Sequence, residues 1–112
     1  MEADEKVLIM GTGKYILAED GKTPIPCDDV LTWGHWFEDN RKKRIVKQDE
    51  LPNGANVSTV FLGLDYRWDD GPPLLWETMI FDHTEHGEYQ ERYSTYEDAV
   101  AGHQKALEMA NE

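Results

Sequence analysis

A carboxylate, an imidazole and a hydroxyl held together can move a proton, and Glu77, His103 and Thr59 are the residues here that could supply that set. Glu77 interrupts the apolar run "LLWETMIF" (74–81). If the "DDGPP" turn pairs Leu64 with Leu74, antiparallel counting sets Leu62 opposite Trp76 and Val60 opposite Thr78. The other face then carries Thr59, Phe61 and Gly63 against Leu75, Glu77 and Met79, with Glu77 opposite Phe61 and diagonal to Thr59. A one-residue slip would move every one of these side chains to the opposite face. His103 interrupts the apolar face of the last helix, and Gly102 beside it permits close approach. The expectation is a Glu77–His103 pair with Thr59 that binds a ligand or transfers a proton. Beside it stand two structural readings: a buried polar pair satisfied within the core, or Glu77 reaching the cations of "RKKR" (41–44).

A second group of residues suits binding rather than catalysis. In "DYRWDD" (65–70), Asp65, Tyr66, Arg67 and Trp68 lie near a turn between apolar strands, and loop aromatics with an arginine commonly anchor protein interfaces. Turn aromatics that fold back on the core are the competing explanation. "DHTEH" (82–86) offers Asp82, His83, Glu85 and His86 to a zinc ion, but no third cluster supports it, and Cys27 and His35 would have to come from the other end of the domain. No metal or other cofactor is expected. "GTGK" (11–14) fails as a phosphate loop: Leu8 stands where the first glycine is required and Tyr15 where Ser or Thr is required. The chain has no G-x-S-x-G and no H-E-x-x-H.

The elements that must position these groups are legible from period and turn chemistry. "KYILAEDGKTPIP" places Asp20-Gly21 between two extended runs, a hairpin signal, with Pro24 and Pro26 confining the return arm to an edge or extended coil. Asp28 is a good N-cap for "DVLTWGHWFEDN", where Val30, Trp33 and Phe37 recur at helical spacing. Gly34 weakens that helix by about 1 kcal/mol relative to Ala, which suggests close packing there or a helix held by its tryptophans. "RIVKQDEL", "VSTVFLGLDY" and "LLWETMIF", separated by "PNGAN" and "DDGPP", form a three-strand antiparallel meander, and "EYQERYS" adds a short fourth strand. Ser94 and Glu97 make an S-x-x-E capping box for a C-terminal helix whose inner face is Tyr96, Ala99, Val100, His103, Leu107 and Ala110. The fold class is α+β: an antiparallel sheet of four to five strands with two helices packed on it. Residues 1–9 are a tail whose order the sequence leaves open, and residues 10–112 form one domain.

Bulk properties narrow the function. A chain of 112 residues with four Trp, five Tyr and three Phe can build one core. Its single cysteine, Cys27, excludes an internal disulfide. No run reaches the ~18 apolar residues of a membrane span, and the start lacks a secretory pattern, so membrane association is not expected and the setting reads as cytoplasmic. A net charge of −12, from 23 acidic against 11 basic residues, disfavours nucleic acid and would steer encounter with a protein carrying a basic face. Five of those bases lie in Arg41, Lys42, Lys43, Arg44 and Lys47, read as a solvated loop paired to nearby carboxylates.

The segments "KYILAEDG" (14–21), "DDVLTWGHWFE" (28–38), "VSTVFLGLD" (57–65), "PLLWETMIF" (73–81) and "RYSTYEDAVAGH" (92–103) resemble a family of small, largely uncharacterised proteins encoded by tailed phages and prophages. The likeness spans about residues 10–107 and is most specific in the β-hairpin block. It implies viral origin and a host-cell cytoplasmic setting, and it transfers no activity and no catalytic residues. By analogy the expected function is an accessory protein that binds a host or phage protein, inhibitors of host defence included. The alternatives are a small-molecule binder or hydrolase using Glu77, His103 and Thr59, and a homo-oligomer joined through an apolar sheet face.

Overall fold

The computed structural model describes residues 13–81 and 89–111. Tyr15–Leu17 (β1) and Pro24–Pro26 (β2) form an antiparallel hairpin of their own. Asp20 closes its turn: Oδ1 accepts from the Lys22 and Thr23 amides and Oδ2 from the Thr23 hydroxyl, while Gly21 takes a positive φ of 72°. These hydrogen bonds pull the Asp20 pKa down to about 2.

Helix α1, Val30–Asp39, begins one residue later than the sequence suggests, with Asp29 rather than Asp28 as N-cap; its carboxylate accepts from the Leu31 amide and the Thr32 hydroxyl. Both hydrogen bonds lower its pKa. Trp33 holds α1 down: its indole N–H lies 3.1 Å from the carbonyl oxygens of both Tyr15 and Gly63. Around Gly34 there is open space, so its small size serves no close contact and the helix is indeed held by its aromatics. Asn40 ends α1, and Arg41–Arg44 form a separate helical turn, α2.

Ile45–Glu50 (β3), Asn56–Phe61 (β4), Trp76–Phe81 (β5) and Gln90–Tyr93 (β6) follow as a four-stranded antiparallel sheet in sequence order, with β3 and β6 as its edges. The expected α+β meander is therefore the observed fold, with the β1–β2 hairpin as a separate two-stranded piece. Helix α3, Tyr96–Ala110, is capped by Thr95, which accepts from the Asp98 amide, one residue beyond the expected Ser94–Glu97 box. It lies across one sheet face. Ala99, His103 and Ala106 are its buried residues, whereas Val100, expected on the inner face, is half-exposed. The small Ala side chains bring α3 close to the sheet, and the turn after β3 ties its far end, Asn53 donating to the Ala110 carbonyl at 2.8 Å.

The β4–β5 register differs by one residue from the expected one: Phe61 pairs with Trp76, Val60 with Glu77 and Thr59 with Thr78. Counting back from the turn failed because the ladder does not run to Leu64 and Leu74. Leu62 still donates to the Leu75 carbonyl, but Gly63 turns away with φ 77°, and Gly13–Tyr15 becomes the new partner. The Tyr15 amide donates to the Gly63 carbonyl and the Asp65 amide to the Gly13 carbonyl, with Lys14 bridged to Leu64. A Cβ at position 63 would sit 2.9 Å from Phe37 Cε1, so α1 packs directly on this glycine.

The core lies under α3 in two apolar clusters. Leu17, Phe61, Leu75, Trp76 and Ala99 form the first; Val57, Ile80 and Ala106 form the second. Polar side chains of β4, β5 and α3 (Thr59, Thr78 and His103) are buried on the same sheet face. No described helix is long and apolar enough to cross a membrane. The tail 1–9 and the "DHTEH" segment lie outside the described residues.

Candidate functional site

The register change separates the residues first singled out. Thr59 pairs with Thr78 on the α3 face, and strand alternation then puts Glu77 on the opposite face. Thr59 and His103 do meet: Thr59 Oγ1 is 2.7 Å from His103 Nδ1. Glu77 instead accepts from Gln90 Nε2 at 2.6 Å and from Arg92 Nε at 3.0 Å, both from β6. The expected Glu77–His103 pair does not exist, and Glu77 does not reach the "RKKR" cations either.

The partner of His103 is Asp49, from edge strand β3, whose Oδ2 is 2.8 Å from His103 Nε2. On the other side Thr59 Oγ1 continues to Thr78 Oγ1 at 2.5 Å. Beyond Thr78 stands the Tyr93 phenol, whose hydroxyl is buried without a well-formed hydrogen bond. Burial pushes the Tyr93 pKa up, and the neighbouring Thr78 hydroxyl partly offsets that. Gly102 allows this arrangement: the Tyr93 ring crosses α3 at that glycine, where any Cβ would overlap Tyr93 Oη, Cζ and Cε1. Close approach at Gly102 was expected, and the group it admits is Tyr93 rather than Glu77.

In the tautomer with its proton on Nε2, His103 donates to Asp49 and accepts at Nδ1 from the Thr59 hydroxyl, and Thr59 accepts from Thr78. Carboxylate, imidazole and hydroxyl stand here in the order of a nucleophilic triad. Thr59 is completely buried between helix and sheet, however, and its hydroxyl is occupied on both sides. A nucleophile needs a substrate within reach, and this one meets only protein. The arrangement satisfies the polar groups of the α3–sheet interface and fixes the helix in one position, which sealed hydrogen-bonded networks do well. Asp49 and Thr78 were not identified from sequence, since Thr78 joins the Thr59 face only once the register is known.

Glu77 acts on the other face, as part of a support. Its carboxylate holds Arg92, and the Arg92 guanidinium lies over the Tyr66 ring at 4.7 Å from the centroid. Tyr66 belongs to the "DYRWDD" loop, which is braced throughout. Asp65 Oδ1 accepts from the Arg67 amide at 2.8 Å and from the Leu74 amide at 3.0 Å, closing the loop at its base. Arg67 spans the interior, pairing with Asp69 Oδ1 at 3.0 Å and donating to the Pro72 carbonyl. Asp69 also accepts from the Gly71 amide, and these contacts, Arg67 first, lower its pKa. Of the four residues expected at an interface, Asp65 and Arg67 are thus braces and Tyr66 is an anchor. Trp68 alone points away from everything and is 99% exposed.

A shallow groove of about 620 Å³ crosses β3, β4 and the end of β5, lined by Gln48, Asp49, Glu50, Asn56, Ser58 and Phe81 among others. Among the described residues no group of three His, Cys, Asp or Glu comes together to hold a metal ion. Comparison of the chain with protein-family models, with curated proteins and with solved structures finds no match in any of the three.

Proposed function

We propose that this protein is a binding module that docks a protein partner through the loop carrying Trp68. The observation that carries this reading is an indole fully in water on a loop held from inside by Asp65, Arg67 and Asp69. A folded chain gains nothing from that placement. Burying a Trp side chain removes ~150–250 Å² from water, worth roughly 4–6 kcal/mol at about 25 cal/mol per Å² before the costs of association. Because the loop is already braced, little ordering entropy remains to be lost on binding, which is how a single aromatic becomes a hot spot. Asp69 and Asp70 beside Trp68 favour a partner whose apolar pocket has a basic rim, in line with the net charge of −12. Resemblance to phage-encoded proteins makes a host or phage protein the partner to seek, a component of host defence included, with host cytoplasm as the setting.

The test is a tagged pull-down from nuclease-treated bacterial lysate, run with the wild-type protein and with Trp68→Ala, at low and moderate salt. Support is one protein retained in stoichiometric amount by the wild type, weakened by salt and lost with Trp68→Ala. Equal capture by both proteins refutes the assignment of Trp68.

A further inference from the structure

Apart from the Trp68 loop, the surface has a second feature that the acidic composition conceals. Arg41, Lys42, Lys43, Arg44 and Lys47 fall within seven residues, and the expectation was that neighbouring carboxylates neutralise them. The structure bears this out for Lys47 and corrects it for Arg41, Lys42 and Lys43. Glu38 and Asp39 close α1 directly upstream, but Asn40, at φ −119° and ψ 39°, breaks the helix, so the Glu38 to Lys42 spacing is not that of one helix face. Among the described residues no carboxylate forms an ion pair with Arg41, Lys42 or Lys43. Lys47 pairs with Asp49 at 4.0 Å, and that carboxylate is also engaged by His103.

Arg44 is accounted for structurally. Its guanidinium stacks on Phe37 at 3.6 Å from the ring centroid and donates to the Phe37 carbonyl at 3.1 Å, satisfying an end of α1. Arg41, Lys42 and Lys47 remain exposed, and Lys43 half-exposed. Next to them Ile45 is 39% exposed, an apolar contact within a basic surface.

We propose that Arg41, Lys42, Lys43 and Lys47, with Ile45 among them, form a docking surface for a short acidic segment of a protein. Like charges in one helical turn repel, and among the described residues no carboxylate pairs with Arg41, Lys42 or Lys43, so an anionic ligand gains their attraction. The length of the patch selects the kind of anion. One helical turn and three strand residues span roughly 16 Å at ~1.5 and ~3.3 Å per residue, and acids close both ends, Glu38 and Asp39 on one side and Asp49 and Glu50 on the other. Duplex DNA carries a charge about every 1.7 Å and continues past both ends into that acidic surface, beyond the ~8 Å screening length. A segment with a few carboxylates and one apolar residue fits within the limits and can cover Ile45.

The probe is an acetylated, amidated peptide of four glutamates around a central leucine, titrated into the ¹⁵N-labelled full chain at low salt, with a single-stranded DNA hexamer as comparator. Support is a saturable shift confined to residues 41–47, at least ten-fold weaker in Arg41→Glu/Lys42→Glu/Lys43→Glu, and tighter than the DNA. Lys42→Glu alone, at an exposed side chain, repeats the measurement with minimal risk to folding and should weaken the peptide several-fold. Overturning results are no saturable shift at millimolar peptide, affinity unchanged in both variants, or DNA binding more tightly than peptide.

Discussion

Replacing Gly102 by Ala and Gly34 by Ala makes the same chemical change in two helices, and the structure assigns the two opposite signs. Alanine is favoured over glycine in a helix interior by ~0.8–1 kcal/mol. At Gly34 an added Cβ meets nothing within 4 Å, so that preference should appear undiminished as roughly 1 kcal/mol of stabilisation. At Gly102 the methyl group would occupy the space of the Tyr93 phenol, a rigid ring that cannot swing aside as a flexible chain end would. Either the ring leaves or α3 lifts from the sheet. Overpacking of this kind costs ~1–3 kcal/mol. Lifting α3 also draws His103 away from Thr59 and Asp49, at about 1 kcal/mol for each hydrogen bond weakened. Set against the propensity gain, the net is a destabilisation of roughly 2–4 kcal/mol. Urea unfolding followed by tryptophan fluorescence measures both variants. With a slope of about 2 kcal/mol per M, Gly34→Ala should raise the midpoint by ~0.5 M and Gly102→Ala lower it by ~1–2 M. Stabilisation by Gly102→Ala equal to that by Gly34→Ala would refute the placement of Tyr93 across α3.

Thr59→Val keeps the shape but removes the hydroxyl between His103 and Thr78, leaving a buried ring nitrogen unsatisfied at a cost of ~1–3 kcal/mol; a change in unfolding free energy below about 0.5 kcal/mol would show that the network contributes nothing. Glu77→Ala frees Arg92 from the sheet and so loosens its stack on Tyr66; amide exchange across residues 65–74 should accelerate while the α3 amides hold their protection, and unchanged loop exchange would sever Glu77 from the loop. For Asp20 the folded pKa of about 2 lies below the usual 3.8, so its contribution to the β1–β2 turn is present above pH 3.8 and is lost as pH falls through 2. An NMR titration of its carboxyl carbon should give a midpoint near 2, and a midpoint near 3.8 would mean that the turn hydrogen bonds do not form.

Much of the fold was legible because it rests on local chemistry. The Asp20-Gly21 hairpin, the caps at α1 and α3 to within one residue, and all four strands of the sheet followed from turn residues, spacing and alternation. Thr59 and His103 were rightly placed together, since both interrupt apolar faces that pack on each other. The role of Glu77 was misassigned through a single inference, the register extrapolated from the "DDGPP" turn. Gly63 withdraws its strand from that ladder to pair with Gly13–Tyr15, a contact between segments fifty residues apart that no local pattern announces.

The sequence by itself determined which segments are strands and helices, where turns occur, that the surface is acidic, and which polar residues stand among apolar ones, because these depend on propensities and periods within a few neighbours. Only the tertiary structure decided which face each polar residue occupies. A strand has a period of two, so one residue of register moved Glu77 from His103 to Arg92 and made a candidate ligand-binding carboxylate the support of the Trp68 loop. The tertiary structure likewise decided that Asp49 completes the His103 network and that, among the described residues, no carboxylate pairs with the basic turn at 41–44, since both depend on distances between side chains that sequence spacing does not encode.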